Sequence, residues 1–346
     1  MKKKSTIIGL VLLVLIAIAG ILAFRYYRLI YQPNVPEKLA NPYLLIPNNA
    51  TFEQVVDSLM INELLIDTSG FRAIAERMNY IKLQMRAGRY KIEEGWSNHE
   101  LIRHLRGGKQ ATVKVVLTNE RLPEDVAAKA ARFLATDSAS IWELMQDTTY
   151  LKSIGYTKET LISLFIPNTY DFYWNSSPKA FMERMIKEHD KFWKAKRRFK
   201  TAKKMDMTPA EVYTLASIVE RETLRADEKP KMARVYLNRL DDGMLLQADP
   251  TAVFGRRDFS ATRVTWYHTK FDSPYNTYMY KGLPPGPISM ASISSIDAVL
   301  NAEDHDYIFF CAKGDGSGYH NFAKTLAQHN QNAKTYVKNL KKRGKR

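Results

Sequence analysis

Residues 207–224 read Met-Thr-Pro-Ala-Glu-Val-Tyr-Thr-Leu-Ala-Ser-Ile-Val-Glu-Arg-Glu-Thr-Leu, and this stretch decides how the rest of the chain is read. Thr208 can cap a first helical turn, Pro209 stands where its missing N–H costs nothing, and Glu211 completes a Thr-x-x-Glu capping box. Val212, Leu215, Ala216 and Val219 recur at helical spacing and make one apolar face. At about 100° per residue, Glu220 and Glu222 fall on opposite flanks of that face. A carboxyl at the border of a buried face is partly desolvated, which raises its pKa and keeps its proton near neutral pH. A general acid needs that placement. The plainer reading is two solvated glutamates on a surface helix, and the helix alone does not choose between them.

The chain has 346 residues and 45% hydrophobic content, enough for two or three domains with their own cores. Its 52 Lys and Arg against 36 Asp and Glu leave a net charge of +16. That balance suits a polyanionic partner: nucleic acid, anionic lipid or an acidic cell-wall polymer. The single cysteine, Cys311, excludes an intrachain disulfide and a cysteine-cluster metal site. It lies in the apolar run Tyr307–Ala312 and is expected as a buried strand residue.

At the N-terminus Lys2, Lys3 and Lys4 precede an uncharged apolar run from Ile7 to Phe24, closed by Arg25 and Arg28 with Tyr26 and Tyr27 between them. The run is long enough for a membrane span, and aromatic residues suit an interface. The lysines favour a cytoplasmic N-terminus. Ala17-Ile18-Ala19 resembles a signal-peptidase site, but the apolar run continues beyond it, so an uncleaved single-pass anchor over residues 1–30 is expected. The bulk of the chain then lies outside the cytoplasm, which excludes nucleic acid as a partner.

Residues 31–42, with three prolines, read as a linker. Residues 43–110 read as a small α/β module. Tyr43–Ile46 is a strand, Thr51 and Gln54 cap a helix to about Asn62, and a second helix spans Ser69–Met78. Gly88–Ile92 is another strand, and Ser97 to Glu100 open a helix ending at Gly107-Gly108. This strand–helix–helix–strand order resembles a LysM-like module, a fold associated with glycan binding in cell walls; an ordinary α+β spacer has the same order.

Thr112–Leu117 reads as a strand, followed by helical patterns over Pro123–Leu134, Ser138–Asp147 and Thr157–Leu164. Phe165–Tyr170 reads as a turn, Pro178–Lys204 as a long basic helix, and Lys231–Asp242 as the helix after the organising one. Leu246–Thr251, Ser273–Tyr278, Gly282–Ile288 and Lys313–Phe322 are loops rich in amides, aromatics, proline or glycine, which suits the lining of a polysaccharide groove. The glycine run lacks the Gly-Lys-Ser/Thr ending of a phosphate loop, and neither a His-Glu-x-x-His zinc site nor a Gly-x-Ser-x-Gly elbow occurs.

Ala216-Ser217-Ile218-Val219-Glu220-Arg221-Glu222-Thr223, followed in order by these four loops, resembles the YceG-like endolytic murein transglycosylase family over most of residues 110–335. The resemblance implies that Glu220, at the family's Ala-Ser-Ile-Val-Glu position, is the catalytic acid. It implies cleavage of the bond from N-acetylmuramic acid to N-acetylglucosamine without water, leaving a 1,6-anhydro end that can terminate glycan elongation. The family's Leu-Glu-Gly-x-Leu-Phe-Pro-Asp-Thr-Tyr pattern stands here as Leu161–Tyr170 without its two acidic residues, so no catalytic role is expected there. Gln247, Tyr275, Asn276 and Asn321 are the candidates for orienting the sugars, with Glu222 beside them. Structural roles in core or loop are open to each.

The expected fold is α+β: an N-terminal transmembrane helix, a small LysM-like α/β module, and a larger mixed α+β catalytic domain over 111–340 with a basic tail at 341–346. Neither a cofactor nor a metal is expected. Peptidoglycan strands are the expected partner, with a peptidoglycan synthase a further candidate. A muramidase that uses water, with Glu222 as second carboxylate, and a non-catalytic wall-binding scaffold are the competing readings.

Overall fold

The computed structural model describes residues 2–344; the last two residues of the expected basic tail lie outside them. Contacts divide the chain into two compact units. One comprises the residues through Val113 with Asp171–Ser176; the other comprises Lys114–Tyr170 and everything from Ser177 onward.

In the first unit, α1 (Lys2–Tyr31) is one continuous helix. Its 25 residues from Ile7 to Tyr31 are long and apolar enough to cross a membrane, and the side chains from Ile7 to Phe24 are exposed. The helix outlasts the apolar run, and its last turn joins the globular core. Leu29 and Ile30 pack there, and Asn98 Nδ2 donates to the Leu29 carbonyl at 2.9 Å. Residues 31–42, expected as a linker, are held at their first half. Asn34 and Val35 are buried, and both N–H groups donate to the Trp96 carbonyl. The Asn34 amide bridges the Asp67 backbone and Asn98 Oδ1. A buried asparagine with all these partners fixes the chain where proline content suggested free passage.

The unit continues as β1 (Tyr43–Ile46), α2 (Phe52–Ile61), α3 (Thr68–Arg77), β2 (Gly88–Lys91) and α4 (Asn98–Gly107). β1 and β2 pair antiparallel, with Tyr43 opposite Lys91 and Ile46 opposite Gly88. The capping boxes at Thr51 and Ser97 are formed, and Gly108 closes α4 at φ 70°. Leu44, Ile46, Val55, Leu59, Phe71, Tyr90 and Leu101 fill the core.

The remaining strands and helices are β3 (Thr112–Leu117), α5 (Pro123–Ala131), α6 (Ser138–Gln146), α7 (Thr148–Ser153), β4 (Asn168–Tyr173), α8 (Pro178–Lys194), α9 (Arg198–Lys204) and α10 (Pro209–Glu222). After them come α11 (Lys229–Asp241), α12 (Asp249–Arg256), α13 (Trp266–Thr269), α14 (Ile293–Leu300), β5 (Phe309–Ala312), β6 (His320–Ala323) and α15 (Leu326–Lys342). β3 pairs with β4, and β5 with β6.

Several expectations change here. Thr157–Leu164 is not a helix; only a 3₁₀ turn forms at Leu161–Leu164. The Thr157 and Thr160 hydroxyls bond each other's backbone N–H groups and so compete with the helical pattern. The turn expected at Phe165–Tyr170 gives way at Asn168 to β4. The long basic helix breaks at Lys196 and Arg197, whose φ angles are 52° and 59°. Beyond the break, buried Arg198 makes a bidentate pair with Asp297 at 2.6 and 2.9 Å and donates to the Phe192 carbonyl, which ties α9 to α14. Cys311, expected buried, is half-buried, because its two-stranded sheet leaves all of β5 partly open.

The organising helix α10 begins with the capping box read from sequence. It is buried on every side, however, with all eight residues from Val212 to Val219 enclosed. Its polar groups are satisfied by Phe165, by its own backbone and by the chain before α14. Tyr213 Oη donates to the Phe165 carbonyl at 2.6 Å and accepts from Ala291 N at 3.0 Å. Ser217 Oγ donates to Thr214 O and accepts from Ile288 N. A hydrogen-bonded polar side chain can be buried at little cost, which is why apolar spacing alone understates the buried face.

Candidate active site

The C-terminal turn of α10 holds both glutamates at the edge of the core, each partly buried. Glu220 retains 15% side-chain exposure. Its Oε2 accepts from Lys229 Nζ at 2.9 Å, Ser292 Oγ at 2.5 Å, Ser295 Oγ at 2.5 Å and Ser292 N at 3.3 Å. Among the described residues none of these donors addresses Oε1. Lys229, the first residue of α11, is itself buried and also reaches Ser292 Oγ and Ser294 Oγ at 3.3 Å. Ser292 is the N-cap of α14, so the Glu220 carboxyl sits at the positive end of that helix.

Opposing influences act on this carboxyl. Desolvation is the largest and raises its pKa; the bonds from Ser292, Ser295 and Lys229 then lower it, and the net direction is below the ordinary value. The expectation of a proton retained through burial is therefore overturned for Glu220 in the free protein. Three hydrogen bonds and an ammonium outweigh burial.

Glu222 meets the reverse. Burial pushes its pKa up to about 7, although Tyr236 Oη donates to Oε1 at 2.8 Å. The Coulomb field of Asp249 raises it further and that of Arg239 lowers it.

The motif loops meet near this helix end. Thr251 and Thr277 hydroxyls bond each other at 2.7 Å, and the Gln247 and Ala248 N–H groups donate to Thr277, tying Leu246–Thr251 to Ser273–Tyr278. Tyr278 Oη donates to Asp249 Oδ1 at 2.5 Å. In the Gly282–Ile288 loop, a Cβ on Gly286 would come within 2.0 Å of the Glu159 carbonyl oxygen, so only glycine fits that approach.

The glycine-rich loop before β6 is clasped to residues 223–228. His320 Nδ1 and N both meet Glu228, Tyr319 Oη donates to Asp227 at 3.0 Å, and Arg225 donates to the Ser317 carbonyl. Since Lys229 follows Glu228, this clasp sets the start of α11 and hence the ammonium against Glu220.

The sugar-orienting candidates separate. Gln247 is exposed at φ 50°. Tyr275 packs its ring 4.7 Å from that of Phe254 and lines a cavity of about 360 Å³. Asn321 stands on β6 opposite Cys311. Asn276 is wholly buried; its amide donates to the carbonyls of His268, Thr269 and Phe271 and accepts from Tyr278 N, so it serves the loop and has no free polar atom for a sugar. Sequence reading missed Lys229, Ser292 and Ser295. The available signal was Ser292-x-x-Ser295 opening an apolar helical run directly after the Gly282–Ile288 motif.

Comparison with known proteins agrees with the family resemblance. The sequence model of the YceG-like family matches residues 44–335. An endolytic murein transglycosylase of Bacillus subtilis is 26% identical over 331 residues, covering 91% of this chain and 90% of that protein. One from Streptococcus pneumoniae is 24% identical over 366 residues, covering 97% of this chain and 65% of that protein. A crystal structure of a yceG-like protein from Listeria monocytogenes superposes with a TM-score of 0.57 at 26% identity, covering 84% of this chain and 97% of that one.

Proposed function

Because the chain belongs to the YceG-like family, we propose that it is an endolytic murein transglycosylase that cuts glycan strands at the bond from N-acetylmuramic acid to N-acetylglucosamine. One observation carries the assignment of Glu220: four donors converge on Oε2, which fixes the carboxyl in place, while Oε1 is left for a substrate oxygen.

Proton transfer then proceeds through one group. Protonated Glu220 donates to the glycosidic oxygen as the C1–O bond breaks and positive charge develops at the ring. The carboxylate formed takes the proton of the muramoyl C6 hydroxyl as its oxygen closes on C1, giving the 1,6-anhydro end and returning the proton to Glu220. In the free protein the balance of forces favours the carboxylate. A glycan strand laid over Oε1 removes water and strengthens desolvation, the force that raises the pKa. Lys229 and the serines then stabilise the carboxylate at the stage when the oxocarbenium-like centre is present.

A second assignment has an observation in its favour. Glu222, with a pKa raised to about 7, already holds a proton for much of the neutral range. Its donor Tyr236 and its burial equally suit a structural carboxyl. Mass spectrometry of products from purified sacculi decides: anhydro ends from wild type and from Glu222→Gln, but none from Glu220→Gln, support Glu220. Reducing ends would indicate hydrolysis, and intact sacculi a binding protein.

The arrangement around this enzyme is part of the same reading. Helix α1 anchors the chain with its N-terminus in the cytoplasm, the β1–α2–α3–β2 unit acts as a LysM-like glycan-binding module, and the catalytic domain beyond it cuts nascent strands beside a peptidoglycan synthase. Cleavage there ends elongation of the strand. Protease added to spheroplasts should digest residues beyond α1, and a mature N-terminus at Gly20 would remove the anchor from this account.

A further inference from the structure

Arg221 follows Glu220 on α10 but points elsewhere. It lines a cavity of about 290 Å³ together with Arg121, Asp249, Phe254, Phe259 and Ile288. Ligand pockets usually span roughly 300–1,000 Å³, so this one takes a branch of a substrate and not a run of sugar rings. Two cations face it. Arg121 lies with its guanidinium 4.5 Å from the centre of the Phe259 ring, and Arg221 Nε donates to the neutral Ser289 hydroxyl at 3.2 Å. Among the described residues neither guanidinium stands in an ion pair. Burial disfavours the charge on both and repulsion from Arg121 disfavours that on Arg221 further; attraction from Asp125 on Arg121 and from Glu220 on Arg221 offsets only part of this. Asp249, the one carboxylate on the cavity wall, is bonded by Tyr278. Two partly desolvated like charges without a directly bonded counter-ion are unfavourable in the free protein, and an arriving anion that bonds both lowers that penalty.

We propose that Arg121 and Arg221 bind a carboxylate of the murein peptide stem, so that the protein selects strands by the charge of their stems. The proposal rests on the murein reading above. In that polymer the muramoyl residue whose C1 reacts also carries the stem through its lactyl group, and the cavity opens beside the residue next to Glu220. The aromatic wall of Phe254 and Phe259 gives the stem's apolar atoms a surface, and the paired guanidinium groups read its acid end. Arg121 and Phe254 also line the adjoining cavity that holds Tyr275, which extends the site along the same face.

The test measures binding by Glu220→Gln protein to three soluble strands at one low ionic strength: stems intact, stem carboxylates converted to amides, and stems removed. Intact strands should bind about tenfold tighter than the other two, as for one charge-assisted contact. Adding Arg121→Gln or Arg221→Gln should make the three equal, and Arg121→Lys should restore part of the preference. Amidated strands binding as tightly as intact ones would overturn the proposal, as would a preference that survives both glutamine variants. The amidation comparison needs no arginine variant, so it decides even if one fails to fold. Wild-type cleavage is followed separately on the same strands. Anhydro products formed without regard to amidation would sink the stem site and leave the transglycosylase standing; charge-dependent binding with no anhydro product would do the reverse.

Discussion

Glu220 and Glu222 stand two residues apart on one helix end and meet opposite surroundings. On one flank, Glu220 faces an ammonium, two serine hydroxyls and the N–H of Ser292, the cap residue of α14, all on a single oxygen. On the other, Glu222 faces Tyr236 and the interior, and burial dominates. The pair teaches that position at a core border does not set a carboxyl's charge. What sets it is how many donors the neighbouring chain brings and whether one is charged: Lys229 of α11 and the serines opening α14 converge on Glu220, while α11 gives Glu222 only the neutral Tyr236 hydroxyl.

The sharpest way to break this contrast is substitution at each position. Glu220→Gln keeps size and helix propensity but removes the transferable proton. Loss of a positioned acid–base group costs about 10²–10⁴-fold, and since one group serves both steps, anhydro-muropeptide release should fall to the upper end of that range. Glu222→Gln should cost far less. If the folded variants show the opposite order, Glu222 is the acid.

Next in size is Lys229→Met. Removing the ammonium takes away a pKa-lowering influence on Glu220, so its pKa should rise. Activity that needs the protonated form declines as pH rises through that pKa, and the decline in kcat/KM should therefore move to higher pH in the variant. An unmoved pH profile would separate Lys229 from the reacting carboxyl.

Glu222 makes a stability prediction of opposite sign to that of an ordinary ion-paired carboxylate. Its folded pKa, about 7, lies above the ordinary value of 4.5. Between those values the folded protein keeps a proton that the unfolded chain has released. The contribution of Glu222 to stability is thus greatest below about pH 4.5, falls as pH rises to about 7, and levels off above, a change on the order of 3 kcal/mol. The difference in unfolding free energy between wild type and Glu222→Gln, measured by urea titration across pH, should show that slope.

The smallest effect is expected at Cys311. Half-buried on β5, with its pKa raised by burial, it should react slowly but measurably with a maleimide in the native protein. Cys311→Ala should cost under about 1 kcal/mol and leave cleavage unchanged. Such labelling would also report the opening of the β5–β6 sheet that carries Asn321.

Sequence determined what is local or repeated along the chain. The capping boxes at Thr51, Ser97 and Thr208 and the left-handed stop at Gly108 involve residues within a turn of each other, so their patterns are visible in one dimension. The apolar run of α1 and the order of motifs around Glu220 were visible for the same reason, and with them the family. Tertiary structure decided the rest, because the partners lie far apart in sequence. Lys229, Ser292 and Ser295 stand 9, 72 and 75 positions from Glu220, and only the packing of α10 with α11 and α14 brings them to its carboxyl. Arg198, just past the break in the basic helix, pairs with Asp297, 99 positions away, and Asn276, chosen as a sugar ligand for its amide, spent that amide on its own loop. Charge state followed the same division: the sequence placed both glutamates at the core's border, and the donors assembled by folding determined which one keeps its proton.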